Sequence, residues 1–320
     1  MGSAVLPIER PTLDEIRAAS ARIAAAVVRT PLIRLDVDAP CEIFLKLECL
    51  QPIGSFKLRG AMNAIGVLPR DQLIRGVYTA SAGNMAQGLA WGARALGVPC
   101  TVVMPEGAPH TKLDAAARLG ARVITVSYED WWQMLVDHGR DDIDGTFVHP
   151  VADRTVIAGN ATVGLEIIED LPDCDAILVP FGGGGLVAGV ASATRGLSPS
   201  TRVYACEVET AAPLTAAFAA GKPVEVERVP SFVDGIGGRG VLPEMWNLVR
   251  ALVDGAFVSS LGEVGKAVRL LAARARIVAE GAGATSVAAA LAGRAGDGKV
   301  VCVVSGGNID LKTLISLLAG

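Results

Sequence analysis

The chain has 320 residues, of which 51% are hydrophobic and 19% are charged, and its formal net charge is −4. This length predicts about two domains with a packed core, and the 37 glycines are typical of an α/β protein with many tight turns. The acidic balance and the lack of a basic run argue against nucleic acid or an anionic membrane as a main partner.

Six cysteines and three histidines are scattered along the chain without metal-ligand spacing. We therefore predict reduced thiols in a cytoplasmic protein, with no disulfide framework and no zinc site.

Charged residues from Glu9 onward interrupt the N-terminal stretch, so no signal peptide is expected. The uncharged run at 176–194 contains Pro180 and four consecutive glycines, which predicts a strand, a loop and a helix start rather than a membrane span.

The first predicted element is a helix over residues 11–28, with Thr12 as its cap and Glu15 three residues later. A strand follows at 42–48 and a helix at 57–67. From there strands and helices alternate up to 149, which indicates parallel strands joined by crossover helices. Predicted strands lie at 76–80, 100–104 and 122–126, with helices at 85–96 and up to 119.

The same alternation resumes after residue 150, with a helix at 156–171 and a buried strand at 176–179. Residues 213–243 are predicted to be irregular and rich in turns. The remaining predicted elements are a strand at 202–206, helices at 261–275 and 282–293, and a last buried strand at 299–304. We expect a discontinuous large domain at 1–66 and 150–320, and a small α/β domain at 67–149.

One lysine stands out because of its position. Lys57 follows a turn containing Pro52, Gly54 and Ser55, lies beside Phe56, and opens a helical pattern. Desolvation in apolar company favours the neutral amine, which is the form that reacts with carbonyl groups. Most lysines at helix starts have no such role, so this pattern needs support from the rest of the chain.

Four glycines, Gly182 to Gly185, follow a predicted strand and precede a predicted helix. Backbone N–H groups and the helix N-terminus at such a loop can bind a phosphate. Gly183, Gly185 and Ala188 also satisfy the spacing of a dinucleotide-binding turn, and Glu207 follows at a strand end. The glycine loop is therefore compatible with two kinds of phosphate-containing ligand. One of them, a dinucleotide, would make the protein an NAD-dependent oxidoreductase.

Two further loops follow predicted parallel strands, Ser81-Ala82-Gly83-Asn84 and Ser305-Gly306-Gly307-Asn308. Open α/β sheets bind ligands at this edge. Together with Lys57 and the glycine loop, they would provide an amine, a phosphate site and several hydroxyl and amide groups at strand ends.

These motifs, in this order, resemble the fold-type II pyridoxal-phosphate enzymes, in the threonine/serine dehydratase and serine racemase group, whose architecture is that of the tryptophan synthase beta-like superfamily. The resemblance covers nearly the whole chain and implies two open-sheet α/β domains. The matching segments are 46–48, 54–61, 79–88, 103–109, 157–159, 164–167, 182–185, 280–283 and 305–308.

The resemblance also implies roles for individual residues. Lys57 would form a Schiff base with pyridoxal 5'-phosphate and act as the catalytic base, while Phe56 packs on the ring and Ser305 meets the pyridine nitrogen. The other expected cofactor-binding residues are Asn84, Gly182, Gly183, Gly184, Gly185, Leu186 and Glu280. Ser81, Ala82, Gly83, Asn84 and Met85 are expected to surround the substrate.

The implied activity is elimination of water from a β-hydroxy amino acid, giving a 2-oxo acid and ammonia, in a homodimer. Ser305 is consistent with elimination because a neutral hydroxyl does not keep the pyridine nitrogen protonated, so the ring is a weaker electron sink. Lys57 would take the Cα proton as general base.

Three positions depart from the family pattern. Ala82 replaces the second serine of the racemases, which disfavours racemisation. Met85 replaces a common histidine, which removes a polar group near the substrate. Pro213 replaces an aspartate of the metal-dependent members, although Glu207 and Ala211 still align, so no metal site is predicted.

Alternatives stay open at this point. Within the family they are a dehydratase for 3-hydroxyaspartate or phenylserine and an amino acid racemase. Outside it they are an NAD-dependent oxidoreductase and an amino-acid-binding relative without activity, although the intact Lys57 argues against the last.

Overall fold

The computed structural model of the chain describes residues 7–108 and 110–319. These residues form two separate sheets of mainly parallel strands flanked by helices, which confirms the predicted α/β class. Pro109, the last residue of one motif, lies outside the described residues.

Ten strands occur in the described part of the chain. In chain order they are β1 (Leu32–Arg34), β2 (Glu42–Lys46), β3 (Val77–Ala80), β4 (Cys100–Pro105), β5 (Arg122–Val126), β6 (Thr146–Phe147), β7 (Ala176–Pro180), β8 (Arg202–Val208), β9 (Gly255–Ser259) and β10 (Lys299–Val303).

The larger sheet has the strand order β1-β2-β10-β7-β8-β9, and the smaller sheet has the order β5-β4-β3-β6. In the larger sheet β1 runs antiparallel to β2, whereas the other strand pairs are parallel. The smaller sheet is parallel throughout its described strands. All its strands lie between residues 77 and 147.

The helices cover both sheets. They are α1 (Leu13–Ile23), α2 (Lys57–Gly66), α3 (Arg70–Arg75), α4 (Asn84–Leu96), α5 (His110–Arg118), α6 (Tyr128–Val136), α7 (Arg154–Asp170), α8 (Gly185–Leu197), α9 (Pro213–Ala220), α10 (Pro243–Leu252), α11 (Leu261–Leu270), α12 (Gly281–Leu291) and α13 (Leu311–Ala319). No helix within residues 7–108 and 110–319 has the length and apolar character needed to cross a membrane.

Both faces of the larger sheet are buried. In β7, Ile177 and Val179 belong to one apolar cluster, whereas Ala176 and Leu178 belong to another on the opposite face. Successive side chains of a strand point to opposite faces, so a strand buried on both sides has a continuous apolar sequence. This explains why β7 and β10 were recognisable as buried strands from their residues alone.

The predicted cap of α1 is confirmed, because Thr12 and Glu15 form a reciprocal capping box. The prediction that residues 213–243 are irregular is wrong for α9. Glu207 accepts hydrogen bonds from the backbone N–H groups of Leu214 (2.7 Å) and Thr215 (2.8 Å), so a side chain outside the helix caps it from the end of β8. Local sequence does not reveal such a cap.

A network of four charged side chains is buried between β2, α2 and α7. Arg59 is fully buried and donates hydrogen bonds to both Glu48 (2.7 Å) and Glu166 (2.6 Å). Lys46 is also fully buried and contacts Glu166 at 2.5 Å. Burial disfavours the guanidinium charge, but the adjacent carboxylates outweigh it and raise the pKa of Arg59. The carboxylates of Glu48 and Glu166 therefore keep the Arg59 guanidinium charged in the interior.

Replacing Arg59 tests this network. Arg59→Met should lower the free energy of unfolding by about 3–5 kcal/mol, since it leaves Glu48 and Glu166 buried without their shared cation. Denaturant-induced unfolding measures the change. Arg17→Met is the matched control because Arg17 pairs with Asp14 at 3.6 Å on the exposed face of α1, where an ion pair contributes little. Equal effects of the two substitutions would contradict this account.

Candidate active site

Three adjacent strands of the larger sheet end at one place. β2 leads into the turn before Lys57, β10 leads to Ser305, and β7 leads into the glycine loop. From the smaller sheet, β3 ends just before Ser81, and the following loop leads into α4. Parallel strands present their carboxyl ends on the same edge, and open α/β sheets bind ligands there. The four loops identified from the sequence therefore meet at the carboxyl ends of the two sheets.

Lys57 is the first residue of α2, and its side chain points into this site. The Nζ atom donates a hydrogen bond to the Pro150 carbonyl at 2.6 Å and lies 5.3 Å from the centre of the Phe56 ring. Burial of the amine lowers the pKa of Lys57 to about 8. With this pKa about a tenth of the amine is neutral at pH 7 and about half at pH 8, and the neutral amine is the form that carbonyl chemistry requires.

The glycine loop connects β7 to α8 and is too tightly packed for side chains at Gly183 and Gly185. A Cβ atom on Gly183 would lie 2.6 Å from Val151 Cγ2, and one on Gly185 would lie 3.1 Å from the Val151 carbonyl oxygen. Gly184 has a φ of +97°, a backbone conformation that favours glycine. The loop ends at the N-terminus of α8, where backbone N–H groups are free to bind an anion.

The turn before Lys57 is hydrogen-bonded to the loop after β10. The Phe56 N–H donates to the Ser305 carbonyl at 3.0 Å, and the Gly307 N–H donates to the Gly54 carbonyl at 2.9 Å. Ser305 itself is 3% exposed. These bonds hold the Ser305 loop beside the lysine turn.

Asn84 connects the smaller sheet to this part of the site. Its side-chain amide donates to Glu280 at 2.9 Å and accepts a hydrogen bond from Asn308 at 2.8 Å. Glu280 is 5% exposed, and its N–H donates to the Gly306 carbonyl at 3.0 Å. A side chain on Gly306 would overlap Glu280 and crowd Asn84, which explains the need for glycine there.

The loop after β3 is held in a tight turn, because the Gly83 N–H donates to Ser81 Oγ at 3.2 Å. Met85 follows in the first turn of α4, but its side chain is 1% exposed and packs in the core around β4. It therefore fills apolar volume behind the loop. Ala82 packs against the same core from a partly buried position.

Glu207, which dinucleotide binding would require for a ribose, is buried and caps α9. Burial raises its pKa, although the hydrogen bonds from α9 act in the opposite direction. Its carboxylate is therefore already used within the fold, which argues against both a ribose contact and a cation ligand at this position.

Sequence reasoning missed several residues that shape the site. Pro150 acts through its backbone carbonyl, which has no signature in the sequence, and Val151 acts by packing under the glycine loop. Gly88 lets α4 approach α2, because a Cβ there would lie 3.2 Å from the Lys57 carbonyl oxygen. For Gly88, the sequence offered one signal, its position inside the segment 79–88 that matches the family pattern.

Comparison with known proteins places these features in a family. The chain matches the family described as pyridoxal-phosphate dependent enzyme over residues 23–306. It is 40% identical over 309 residues to the L-threonine ammonia-lyase of Thermotoga maritima, covering 95% of this chain and 77% of that protein.

Two solved structures are similar over nearly their whole length. The threonine deaminase of T.th. has a TM-score of 0.87 and 34% identity, covering 94% of this chain and 99% of that one. Maize serine racemase has a TM-score of 0.86 and 34% identity, covering 97% and 98%.

The chain belongs to the pyridoxal-phosphate dependent enzymes and uses this cofactor. The residues present fit it. A desolvated lysine amine, an adjacent aromatic ring and a side-chain-free loop at a helix N-terminus match an aldehyde, a ring and a phosphate. The predicted cofactor is thereby confirmed, and the dinucleotide alternative is set aside.

Substitution in the glycine loop should weaken cofactor binding. Gly183→Ala should raise the dissociation constant of pyridoxal phosphate by about tenfold or more, which corresponds to about 1.4 kcal/mol, because its Cβ would collide with Val151 and displace the loop. Fluorescence or absorbance titration measures the constant. Gly262→Ala, in the first turn of α11 with its nearest atom 3.9 Å away, is the control. An unchanged constant in Gly183→Ala would refute the assignment.

Proposed function

We propose that this protein is a pyridoxal-phosphate-dependent ammonia-lyase of the threonine/serine dehydratase type. It would remove water from a β-hydroxy amino acid and release a 2-oxo acid and ammonia. The observation that carries the proposal is the desolvated Lys57 amine at the junction of the four loops, in a chain 40% identical to an L-threonine ammonia-lyase.

The proposed site follows the loops. Lys57 anchors the cofactor, the backbone of Gly182 to Leu186 binds its phosphate, and Phe56 packs against its ring. Asn84, Glu280 and Ser305 face the remaining ring atoms. Ser81, Ala82, Gly83, Asn84 and Met85 form the segment that holds the substrate, with backbone N–H groups and the Ser81 hydroxyl directed to the carboxylate.

When bound, pyridoxal phosphate supplies an aldehyde that captures the amino group of the substrate and a ring that withdraws electrons from Cα. The amine of Lys57, once released, is the base that takes the Cα proton. Its lowered pKa suits this task, since a base near its pKa is both available and strong enough. The Pro150 carbonyl receives a hydrogen bond from the same amine and keeps it oriented.

Ser305 supports elimination over longer-lived carbanion chemistry. A buried hydroxyl does not hold a proton on the pyridine nitrogen as a carboxylate would. Negative charge at Cα is then less well stabilised, so loss of the β-hydroxyl is favoured over formation of a long-lived carbanion.

A second candidate is an amino acid racemase, because maize serine racemase shares the fold at a TM-score of 0.86. Racemisation needs a proton donor on the face of Cα opposite Lys57. Ala82 stands where the racemases of this family carry a serine, and a methyl group cannot donate a proton. Ala82 therefore favours elimination.

A panel of β-hydroxy amino acids tests the proposal. The purified protein should show an absorbance band near ~410 nm, as expected for a lysine–cofactor linkage, and release oxo acid from threonine or serine faster than from 3-hydroxyaspartate or phenylserine. Lys57→Ala should lose both the band and the activity while remaining folded.

Two outcomes would contradict parts of this proposal. No band after addition of pyridoxal phosphate would refute the cofactor assignment. Serine racemisation at a rate comparable with elimination would refute the argument from Ala82, and chiral chromatography of the same reactions measures it.

We also propose that the protein is a cytoplasmic homodimer with a large domain at 1–66 and 150–320 and a small domain at 67–149. The free cysteines support a reducing compartment. The smaller sheet, confined to residues 77–147, supports the domain division. An apolar stripe on α13 supports association, since Leu311, Ile315 and Leu318 share one face and are 67%, 58% and 45% exposed.

Placing a charge in the α13 stripe should disrupt the dimer. Ile315→Glu should shift the mass in solution from about twice the 32.9 kDa chain toward a single chain, because a carboxylate would be buried against apolar surface. Light scattering after size exclusion measures the mass. Ile74→Glu is the control, since Ile74 is 70% exposed on α3 outside the stripe. A dimer that tolerates Ile315→Glu would place the interface elsewhere.

A further inference from the structure

His149 lies in the segment that joins the smaller sheet to α7. It follows β6 by two residues, is 2% exposed, and directly precedes Pro150 and Val151. Its ring packs against His138 at 4.7 Å and against Phe147 at 5.9 Å between ring centres.

The imidazole of His149 holds the following turn. Its Nδ1 atom accepts hydrogen bonds from the N–H groups of Val151 (3.0 Å) and Ala152 (2.7 Å). Asp153 uses the same pattern four residues later, where its Oδ1 accepts from the N–H groups of Thr155 and Val156 to cap α7. His149 therefore performs with a ring nitrogen the task that an Asx side chain performs at a helix start.

These two bonds fix the protonation state of the ring. Because Nδ1 accepts, the single proton of the neutral imidazole is on Nε2. Burial lowers the pKa of His149 to about 3, repulsion from His138 and Lys57 acts in the same direction, and the Leu135 backbone opposes the shift. With a pKa of about 3, the ring is neutral at neutral pH.

The position of the ring proton also argues against a metal ion. Among the described residues, one group of His, Cys, Asp and Glu side chains has metal-like spacing, namely His138, His149 and Glu244, with ligand atoms within 4.8 Å. A ligating imidazole needs a free lone pair on the nitrogen that faces the metal. In His149 the buried Nε2 carries the proton, so the group lacks the donor set of a metal site.

The turn that His149 holds contacts the reactive lysine and the glycine loop at once. The Pro150 carbonyl accepts the hydrogen bond from Lys57 Nζ at 2.6 Å. Val151 supports the glycine loop, where its side chain occupies the space beside Gly183 and its carbonyl lies beside Gly185. One ring therefore controls a contact to the amine and a contact to the phosphate-binding loop.

We propose that His149 is a positioning residue for both Lys57 and the glycine loop, acting as a neutral hydrogen-bond acceptor for the 150–152 turn. This role rests on the proposed site, in which Lys57 anchors the cofactor and the loop binds its phosphate. His149 touches neither the substrate nor the cofactor in this role. Its contribution is to place the Pro150 carbonyl and Val151.

Three substitutions separate this role from simple packing. His149→Asn keeps a neutral acceptor at the δ1 position, the position from which the Asp153 Oδ1 atom accepts in the next turn. His149→Leu keeps apolar volume but provides no acceptor. His149→Asp keeps the acceptor and adds a negative charge near Lys57, which faces His149 from α2, while His138 and Glu244 face it from the end of α6 and from α10.

The dissociation constant of pyridoxal phosphate is the first readout, measured on the full chain after removal of the cofactor. His149→Leu should raise it about tenfold or more, since two buried N–H groups lose their acceptor, whereas His149→Asn should stay within about threefold of the unsubstituted protein. Turnover should likewise fall more in His149→Leu than in His149→Asn. A purely packing role predicts the reverse order, with His149→Leu the milder change, and that result would overturn the proposal.

The second readout is the pH dependence of cofactor uptake, followed by the growth of the lysine–cofactor band. In the unsubstituted protein its midpoint should lie near the Lys57 pKa of about 8. His149→Asp should move the midpoint upward, by up to about one unit, since a nearby negative charge favours the ammonium. His149→Asn should not move it, and an unmoved midpoint in His149→Asp would overturn the proposed proximity of His149 to Lys57.

The two readouts keep the proposals distinct. If the unsubstituted protein takes up no cofactor, the proposed function fails. If it takes up cofactor and the three variants match it, only the role of His149 fails. Thermal unfolding of each variant confirms folding, and His149→Asp carries the test if His149→Leu does not fold.

Discussion

Arg59 lies fully buried between Glu48 and Glu166, and this arrangement determines where Lys57 can be. The guanidinium is on α2, two residues after Lys57, while its partners lie after β2 and on α7. A planar guanidinium bonds two carboxylates only at defined positions of all three elements. Lys46 completes the network from β2. Because buried charges are costly without their partners, these elements are held in one arrangement, and the first turn of α2 directs Lys57 into the site.

Glycines let the helices come close enough for this network. A Cβ on Gly159 would lie 2.5 Å from the Arg59 carbonyl oxygen, and one on Gly60 would lie 2.8 Å from Asn160 Oδ1, so α2 and α7 cross almost backbone to backbone. Gly88 allows α4 to approach Lys57 in the same way. The smaller sheet is thereby brought against the lysine helix, and Asn84 reaches Glu280. Close helix packing therefore explains why glycine occurs in these family-matching segments, independently of any role in the reaction.

Much of the fold and the loops that form the candidate site could be predicted from the sequence, because their signals are local. The capping box at Thr12, the continuous apolar runs of β7 and β10, and the four glycines each follow from neighbouring residues. Met85 was less predictable, since its type shows a lost polar group but not that the side chain turns into the core. The helix capped by Glu207, and the Pro150 carbonyl, depend on contacts between separate segments and have no local signature.

The sequence by itself determined the α/β class, the family resemblance, the cofactor and the set of loops that meet at the strand ends. It did so because strand periodicity, turn glycines and motif order are properties of neighbouring residues. Only the tertiary structure decided how those loops are held. The Arg59 network, the packing of Val151 under Gly183 and the hydrogen bond from Lys57 to the Pro150 carbonyl each join segments far apart in the chain. The burial that lowers the pKa of Lys57 exists only once these segments have come together.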